Sequence, residues 1–213
     1  MSERQRGPAE APNLGTPSEP RPAASVVLLR RGGKHGDREL EVLLLKRSGE
    51  AKFMPNVWVF PGGAVDPADG EGEGGYRACA VRELAEEATI ALPAEEELVP
   101  FSRWITPEVI STRFDAWFFL ALAPAHTPPQ PDGVETTEAT WFKPAAALAA
   151  QAEGEIALAF PTVSQLRSLL PFRTSDEALA YHRDRPLEPI LPVVVGDREN
   201  HRVVLPGDSD YPA

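Results

Sequence analysis

Residues 60–90 read FPGGAVDPADGEGEGGYRACAVRELAEEATI, and the fold that we predict is built outward from this stretch. A short β-prone run, residues 57–60, enters a Pro-Gly-Gly turn. Residues 66–75 are rich in glycine and acids and are predicted to form an irregular loop. A helix follows from about residue 76 to residue 88. It carries three glutamates, Glu83, Glu86 and Glu87. Like charges three and four residues apart on a helix repel each other.

A helical wheel places the three carboxylates within an arc of about 100°. Four apolar side chains cluster on the opposite side: Val81, Leu84, Ala85 and Ala88. The helix is therefore amphipathic and can dock on a sheet. The wheel alone leaves two interpretations open, a solvated acidic face or a Mg²⁺ site, since Mg²⁺ is held by a few carboxylates and by substrate phosphates.

The flanking residues favour the metal site. The Pro61-Gly62-Gly63 turn lets the backbone approach a ligand closely and leaves carbonyl groups free to coordinate. Arg82 precedes Glu83, and a guanidinium can orient a neighbouring carboxylate through paired hydrogen bonds. A bound cation would also relieve the repulsion between the glutamates.

This stretch resembles the Nudix box of the Nudix hydrolase superfamily, which reads Gly, five residues, Glu, seven residues, Arg-Glu-aliphatic-x-Glu-Glu-x-Gly-aliphatic. The matching residues are Gly63, Arg82, Glu83, Leu84, Glu86, Glu87 and Ile90. Asp69 stands in place of the first glutamate, twelve residues rather than seven separate it from Arg82, and Thr89 replaces the closing glycine. We expect the inserted glycines to bulge from a loop, while Thr89 puts the geometry of the helix end in question.

A second motif resembles the coenzyme A diphosphatases within this superfamily. Four residues match its first part, Leu43, Leu44, Arg47 and Ser48, and Phe60 to Gly63 follow in register. Leu45, Lys52 and Asn56 stand where the motif has Thr, Arg and Gly. The resemblance implies that Arg47, Ser48 and Lys52 contact the substrate. Over roughly residues 24–208, the chain resembles an acyl-CoA diphosphatase branch of the superfamily.

The superfamily resemblance implies an α/β protein, a Nudix-type α/β/α sandwich with a central mixed β-sheet. It implies Mg²⁺ or Mn²⁺ held by Glu83, Glu86, Glu87 and the carbonyl of Gly63, with Arg82 in the catalytic group. Glu83 is the first candidate for the base that activates the attacking water, and another acid is the alternative. The expected reaction cleaves coenzyme A or acyl-CoA into 3',5'-ADP and 4'-phosphopantetheine. Another nucleotide such as ADP-ribose or NADH, or a nucleotide-sensing module without turnover, remains an alternative.

Nudix enzymes often recruit a further acid from outside the box. Three residues are candidates here: Glu135, Glu138 and Asp115. Glu138 is the candidate that we select, because it stands just before the TWF segment where related chains often carry an acid, and a solvated loop residue is the alternative. Asp115 alternates with apolar neighbours, and we expect a structural pairing, with Arg113 as its partner.

Composition limits the other classes of function. The chain has 213 residues and a formal net charge of -11, which argues against nonspecific nucleic-acid binding. Cys79 is the one cysteine, so neither an internal disulfide nor a cysteine-based zinc site is expected. No run approaches the ~20 apolar residues that span a bilayer, and the first residues lack the apolar segment of a secretory signal. A cytoplasmic protein that does not bind membranes is therefore expected.

The remaining sequence predicts the domain organisation. Residues 1–22 are predicted to be a disordered tail, because they are rich in Pro, Glu, Ser and Gly. Residues 23–208 are predicted to form the Nudix hydrolase domain, with a C-terminal extension of helices and a hairpin that turns near residues 196–200. Strands outnumber helices without regular βαβ alternation. The sequence leaves a homodimer open.

Overall fold

The computed structural model describes most of the chain: residues 13, 15–31, 39–51, 54–92, 97–125, 127–196 and 202–212. In these ranges the strands are Arg21–Arg31 (β1), Leu40–Arg47 (β2), Val57–Val59 (β3), Gly62–Ala64 (β4), Val99–Ile105 (β5), Phe114–Leu122 (β6), Thr136–Phe142 (β7), Ala157–Leu158 (β8), Pro189–Ile190 (β9), Val193–Val195 (β10) and Arg202–Val204 (β11). The α-helices are Gly72–Ala88 (α1), Pro144–Ala152 (α2), Phe160–Leu169 (α3) and Ser175–His182 (α4).

Strand β1 is the centre of a mixed sheet with the order β8-β3-β2-β1-β6-β5-β9. One edge of β1 pairs in parallel with β6 along most of its length. The other edge pairs antiparallel first with β4, at residues 23–25, and then with β2, at residues 29–31. Strand β2 also pairs with β3 and β7.

Helices cover both faces of this sheet. Val26 and Leu28 of β1 pack with buried residues of α1, whereas Val27 and Leu29 pack with buried residues of α2, α3 and α4. Successive strand residues point to opposite faces, so a strand buried on both sides reads as a continuous apolar run, as VVLL does here. The predicted α/β/α sandwich with a central mixed sheet is confirmed.

The prediction of an irregular loop at residues 66–75 is wrong. Asp66 caps a 3-10 turn at Pro67–Asp69, and α1 begins at Gly72, four residues before the predicted start. A Cβ atom at Gly75 would lie 2.5 Å from the backbone oxygen of Gly70, so this tight entry to the helix requires glycine. The inserted glycines therefore lengthen α1 by about one turn instead of bulging from a loop.

The Pro-Gly-Gly segment also differs from its prediction as a free turn. Gly62 and Gly63 belong to β4, opposite Ser25 and Ala24 of β1. A Cβ atom at Gly62 would lie 2.1 Å from Ser25 Oγ. The small residues thus let β4 approach β1. The close approach that the sequence predicted toward a ligand is therefore made toward a neighbouring strand.

Thr89 ends α1 by adopting the left-handed conformation itself, with φ 56° and ψ 33°. Its N–H donates to the Ala85 oxygen at 3.1 Å, and its hydroxyl donates to the Gln130 oxygen at 3.2 Å. Thr89 therefore takes the left-handed backbone conformation of the glycine at the cost of strain, and its hydroxyl anchors the helix end to the loop between β6 and β7.

We expect the Thr89→Gly variant to be more stable than Thr89→Ala by about 1 kcal/mol, because glycine relieves the left-handed strain and alanine keeps it. Thr89→Ala itself should lose about 0.5–1 kcal/mol with the hydroxyl hydrogen bond. Urea unfolding of the two variants and the parent measures both differences. Equal stability of Thr89→Gly and Thr89→Ala would show that the residue is not strained.

Other sequence predictions can be placed. The helices of the predicted C-terminal extension are α2 to α4. Strands β10 and β11 pair antiparallel as the predicted hairpin, while residues 197–201 of its turn lie outside the described part. Arg21 and Pro22 belong to β1; the boundaries of the tail and of the domain otherwise stay predictions, as does the homodimer.

Among the described helices, none has the length and apolar character needed to cross a bilayer.

Candidate functional site

The exposure of the three glutamates falls in steps around α1. The side chain of Glu86 is 61% exposed and that of Glu83 is 14% exposed, while Glu87 is 4% exposed. The buried face centres on Ala80, Leu84 and Ala88, and Ala85, which we expected there, is exposed. A fully solvated acidic face is therefore excluded, because two of the three carboxylates are drawn into the protein.

Arg82 is the centre of the polar network beside these carboxylates. Its Nη1 donates to Glu83 Oε1 at 2.8 Å and to Glu86 Oε2 at 3.1 Å. Its Nη2 donates to the backbone oxygen of Ala64 at 3.3 Å and to Cys79 Sγ at 3.6 Å. One guanidinium thus links α1 to β4 and contacts two carboxylates, although Glu83 receives a single hydrogen bond and not the predicted pair.

Arg82 also makes a paired contact with Asp69. Arg82 Nε and Nη2 donate to the two carboxylate oxygens, each at 2.9 Å, and the Asp69 side chain is only 5% exposed. The hydrogen bonds from Arg82 lower the pKa of Asp69, and Asp69 in turn raises the pKa of Arg82. Asp69 therefore meets Arg82 despite the twelve-residue gap, since the 3-10 turn and the longer α1 take up the insertion.

Glu87 is a buried carboxylate with a backbone donor. The N–H of Gly62 donates to Glu87 Oε2 at 2.9 Å. Burial raises the pKa of Glu87 to about 8, although the nearby positive charge of Arg47 by itself lowers this pKa. Burial also raises the pKa of Glu83. Both carboxylates lie where a neighbouring cation would stabilise their ionised forms.

The donor set fits a hard divalent cation such as Mg²⁺ or Mn²⁺, because it consists of carboxylate and carbonyl oxygens. A Cβ atom at Gly63 would lie 2.3 Å from Glu83 Oε1, so only glycine lets this carboxylate lie against the β4 backbone. Over the described ranges, no three Asp, Glu, His or Cys side chains are gathered as a preformed metal cluster. The carboxylates of Glu83 and Glu86 are instead hydrogen-bonded to Arg82.

The carbonyl of Gly63 is not the free turn carbonyl that we expected. It lies in β4, and the Cys79 thiol donates to its oxygen at 3.6 Å. Burial raises the pKa of that thiol to about 12, so it remains protonated. Gly63 also pairs with Ala24 of β1, so its carbonyl takes part in the sheet, and its use as a metal ligand stays a prediction.

Two predicted substrate contacts lie beside the buried glutamate. Arg47 faces Thr136 in the β2–β7 pair, and the hydroxyl of Thr136 donates to the backbone oxygen of Glu87 at 3.0 Å. The N–H of Ser48 donates to the Glu135 oxygen at 2.8 Å. The third predicted contact, Lys52, lies outside the described residues.

The candidates for the further acid lie in different surroundings, and the choice of Glu138 stays a prediction. Glu138 is more than half exposed and pairs with Lys46 at 2.7 Å, whereas the charge of Glu135 raises the pKa of both Glu83 and Glu87. Asp132 holds the loop at Glu135 by accepting backbone N–H groups of residues 134–136. The Asp-Gly pair at residues 132–133 signals this turn in the sequence, but the sequence does not show that it faces α1.

Asp115 has a structural pairing, as predicted, but with a different partner. Both of its oxygens accept hydrogen bonds from Arg103, at 2.8 and 2.6 Å. Arg113 instead donates to the backbone oxygens of Thr106 and Ser18. Arg103 and Asp115 face each other diagonally on the antiparallel strands β5 and β6, a register that the sequence does not reveal.

Comparisons with known proteins agree with this geometry. A family model described as the NUDIX domain matches residues 19–162. A protein named as a Nudix hydrolase of Caenorhabditis elegans is 28% identical, with 90% of this chain and 74% of the relative covered. The acyl-coenzyme A diphosphatase NUDT19 of Gallus gallus is 26% identical, with 90% and 80% covered.

Two solved structures share the fold. A NUDIX hydrolase from Alicyclobacillus acidocaldarius superposes with a TM-score of 0.68 at 23% identity, covering 79% of this chain and 99% of the other. The NUDIX domain of Shewanella oneidensis NrtR, solved with ADP ribose, gives a TM-score of 0.53 at 20% identity, covering 72% and 90%.

Proposed function

Because the chain belongs to the Nudix family, as the match over residues 19–162 shows, we propose that this Nudix hydrolase cleaves the diphosphate bond of coenzyme A or an acyl-CoA. The products are 3',5'-ADP and 4'-phosphopantetheine or its acyl derivative. The observation that carries the proposal is the pair of partly or fully buried carboxylates, Glu83 and Glu87, held on one helix face against β4.

Nudix hydrolases generally use divalent metal ions, and here Glu83, Glu86, Glu87 and the Gly63 oxygen would hold Mg²⁺ or Mn²⁺. The metal would neutralise charge on the diphosphate and lower the pKa of water. The Glu83 carboxylate accepts the proton of the attacking water, whose oxygen bonds to one phosphorus while the bridging P–O bond breaks. Arg82 keeps Glu83 oriented through its 2.8 Å hydrogen bond. Arg47 contributes positive charge beside Glu87, where a phosphate can bind.

Two observations support coenzyme A as the substrate. The Arg47-Ser48 segment of the coenzyme A motif lies next to the glutamates, through Thr136 and the Glu135 backbone. The relative from Gallus gallus, which is named an acyl-coenzyme A diphosphatase, is similar over 90% of this chain. The alternative substrate class is ADP-ribose, which the NrtR domain binds on the same fold.

A substrate panel tests the proposal. With Mg²⁺ or Mn²⁺, we expect kcat/KM for CoA to exceed that for dephospho-CoA, ADP-ribose and NADH by at least about tenfold, since a specific charged contact is worth about 1.5–3 kcal/mol. Mass spectrometry should identify 3',5'-ADP as the product. Equal rates across the panel would contradict the assignment of CoA. Nucleotide binding without metal-dependent turnover would instead indicate a sensing module.

We further propose that Glu135, in place of Glu138, supplies the additional acid. We expect Glu135→Gln to lower kcat about tenfold or more, because its charge acts on Glu83 and Glu87. The matched variant Glu138→Gln should keep kcat within about twofold, since it breaks only an exposed ion pair with Lys46. Steady-state kinetics with both variants measures this, and a larger loss in Glu138→Gln would restore the original choice.

A further inference from the structure

The turn immediately before β7 is organised by the carboxylate of Asp132. Its Oδ1 accepts hydrogen bonds from the backbone N–H groups of residues 134–136, at 3.0, 3.0 and 2.9 Å. Gly133 takes the left-handed conformation with φ 77°, which favours glycine, and its N–H donates to the Thr136 oxygen at 2.9 Å. Asp132 and Gly133 therefore fix the backbone of this turn as far as Thr136.

Two further contacts hold the turn against the rest of the site. The hydroxyl of Thr136, a fully buried residue, lies 3.0 Å from the backbone oxygen of Glu87 and 3.2 Å from Asp132 Oδ1. The N–H of Ser48, just after β2, donates to the Glu135 oxygen at 2.8 Å. The turn is thus bonded to α1 on one side and to the end of β2 on the other, so its place relative to the glutamates of α1 is defined.

The turn carries Glu135, whose charge reaches the carboxylates of α1. This charge raises the pKa of both Glu83 and Glu87. The Glu135 residue is exposed, and within the described ranges its carboxylate forms no hydrogen bond or ion pair. Since the interaction between charges weakens with distance, the backbone of the turn is what keeps the charge of Glu135 effective at α1.

Asp132 is ionised in this setting. Partial desolvation raises its pKa, but the hydrogen bonds from the three backbone N–H groups outweigh this effect, and the pKa lies below its ordinary value. Hydrogen bonds to an ionised acceptor are about twice as strong as those between neutral groups. Four of the five hydrogen bonds that Asp132 accepts reach Oδ1, so a single oxygen holds most of the turn.

We propose that Asp132 is a positioning residue for the hydrolysis and acts through Glu135. It holds the turn so that the Glu135 carboxylate stays beside Glu83 and Glu87. When the turn loosens, this charge moves into solvent, while Glu83 and Glu87 keep their own contacts. Because Glu135 is the additional acid of the proposed function, the role of Asp132 depends on that proposal. The feature that matters is the acceptor oxygen Oδ1, and not the negative charge of Asp132 by itself.

A double-mutant cycle in kcat tests this role on the full chain with Mg²⁺ and CoA. Glu135→Gln and Asp132→Ala should each lower kcat about tenfold or more, and the double variant should lose no more than Glu135→Gln alone, because both changes act through one group. Losses from a general weakening of the fold would multiply instead. Asp132→Asn should restore kcat to within about threefold of the parent, since its amide oxygen can accept hydrogen bonds at the Oδ1 position.

Amide hydrogen exchange measures the turn without turnover. The N–H groups of residues 134–136 should exchange at least about tenfold faster in Asp132→Ala than in the parent, and at the parent rate in Glu135→Gln. Asp208→Ala is the matched control, because it removes a carboxylate that accepts the N–H of Leu205 at 2.8 Å in the turn after β11. It should leave both kcat and the exchange of residues 134–136 unchanged.

The outcomes separate the role of Asp132 from the proposed function. If Glu135→Gln lowers kcat while Asp132→Ala does not, or if the two losses multiply, Asp132 is not a positioning residue and Glu135 remains the acid. Parent-like exchange in Asp132→Ala, or equal losses of kcat in Asp132→Asn and Asp132→Ala, would also overturn the role of the acceptor oxygen. If Glu135→Gln keeps kcat, the assignment of the acid is wrong, and the role of Asp132 fails with it.

Discussion

The Glu87→Gln variant is expected to lose turnover by about 10² or more, because it removes a charged oxygen from the proposed metal site. The loss should not come from unfolding. Glutamine keeps an amide oxygen that can accept the 2.9 Å hydrogen bond from the Gly62 N–H, and it removes the desolvation penalty of a carboxylate that is 4% exposed. Thermal unfolding in EDTA should therefore show equal or higher stability, while kcat falls.

The control for Glu87→Gln lies on the same helix. Glu73 of α1 pairs with Arg77 one turn later and has a half-exposed side chain, so Glu73→Gln should change stability by no more than about 0.5 kcal/mol and leave kcat within about twofold. Metal titrations add a second readout, since Glu87→Gln should need more Mg²⁺ for half-maximal rate. An unchanged kcat and metal requirement in Glu87→Gln would remove Glu87 from the site.

The second large effect is expected in Arg82→Gln, which should lose both stability and activity. It leaves Asp69 buried without its paired donors, and an unpaired buried charge costs about 2–4 kcal/mol. It also frees Glu83 and Glu86 from their shared guanidinium, so we expect kcat to fall about 10²-fold. Arg82→Lys should give intermediate losses, because lysine keeps the charge but cannot make the paired contact.

Arg103→Gln is the matched control for Arg82→Gln. Arg103 makes an equally short paired contact with Asp115, and both arginine side chains are 31% exposed. Arg103→Gln should therefore lower stability to a similar degree while kcat is retained. Urea unfolding and kinetics at a temperature well below every Tm separate the two effects. If Arg103→Gln and Arg82→Gln lost kcat equally, the loss would reflect folding, and the orienting role of Arg82 would be refuted.

Sequence alone identified the features that depend on local spacing. The period of the α-helix places Glu83, Glu86 and Glu87 on one face. The adjacent Arg82 and Glu83 were correctly expected to hydrogen-bond. These results follow because neighbours along the chain remain neighbours in space, whatever the rest of the fold does.

The tertiary structure decided everything that depends on pairing between distant segments. Asp69 meets Arg82 across an insertion because a helix, and not a loop, takes up the extra glycines. The β2–β7 register sets Glu138 opposite Lys46, whereas Glu135 lies where its charge raises the pKa of Glu83 and Glu87. Burial, which separates Glu87 from the exposed Glu86, is likewise set by β4 lying against α1. Strand register and helix docking are long-range contacts, and a single sequence does not specify them by its spacing.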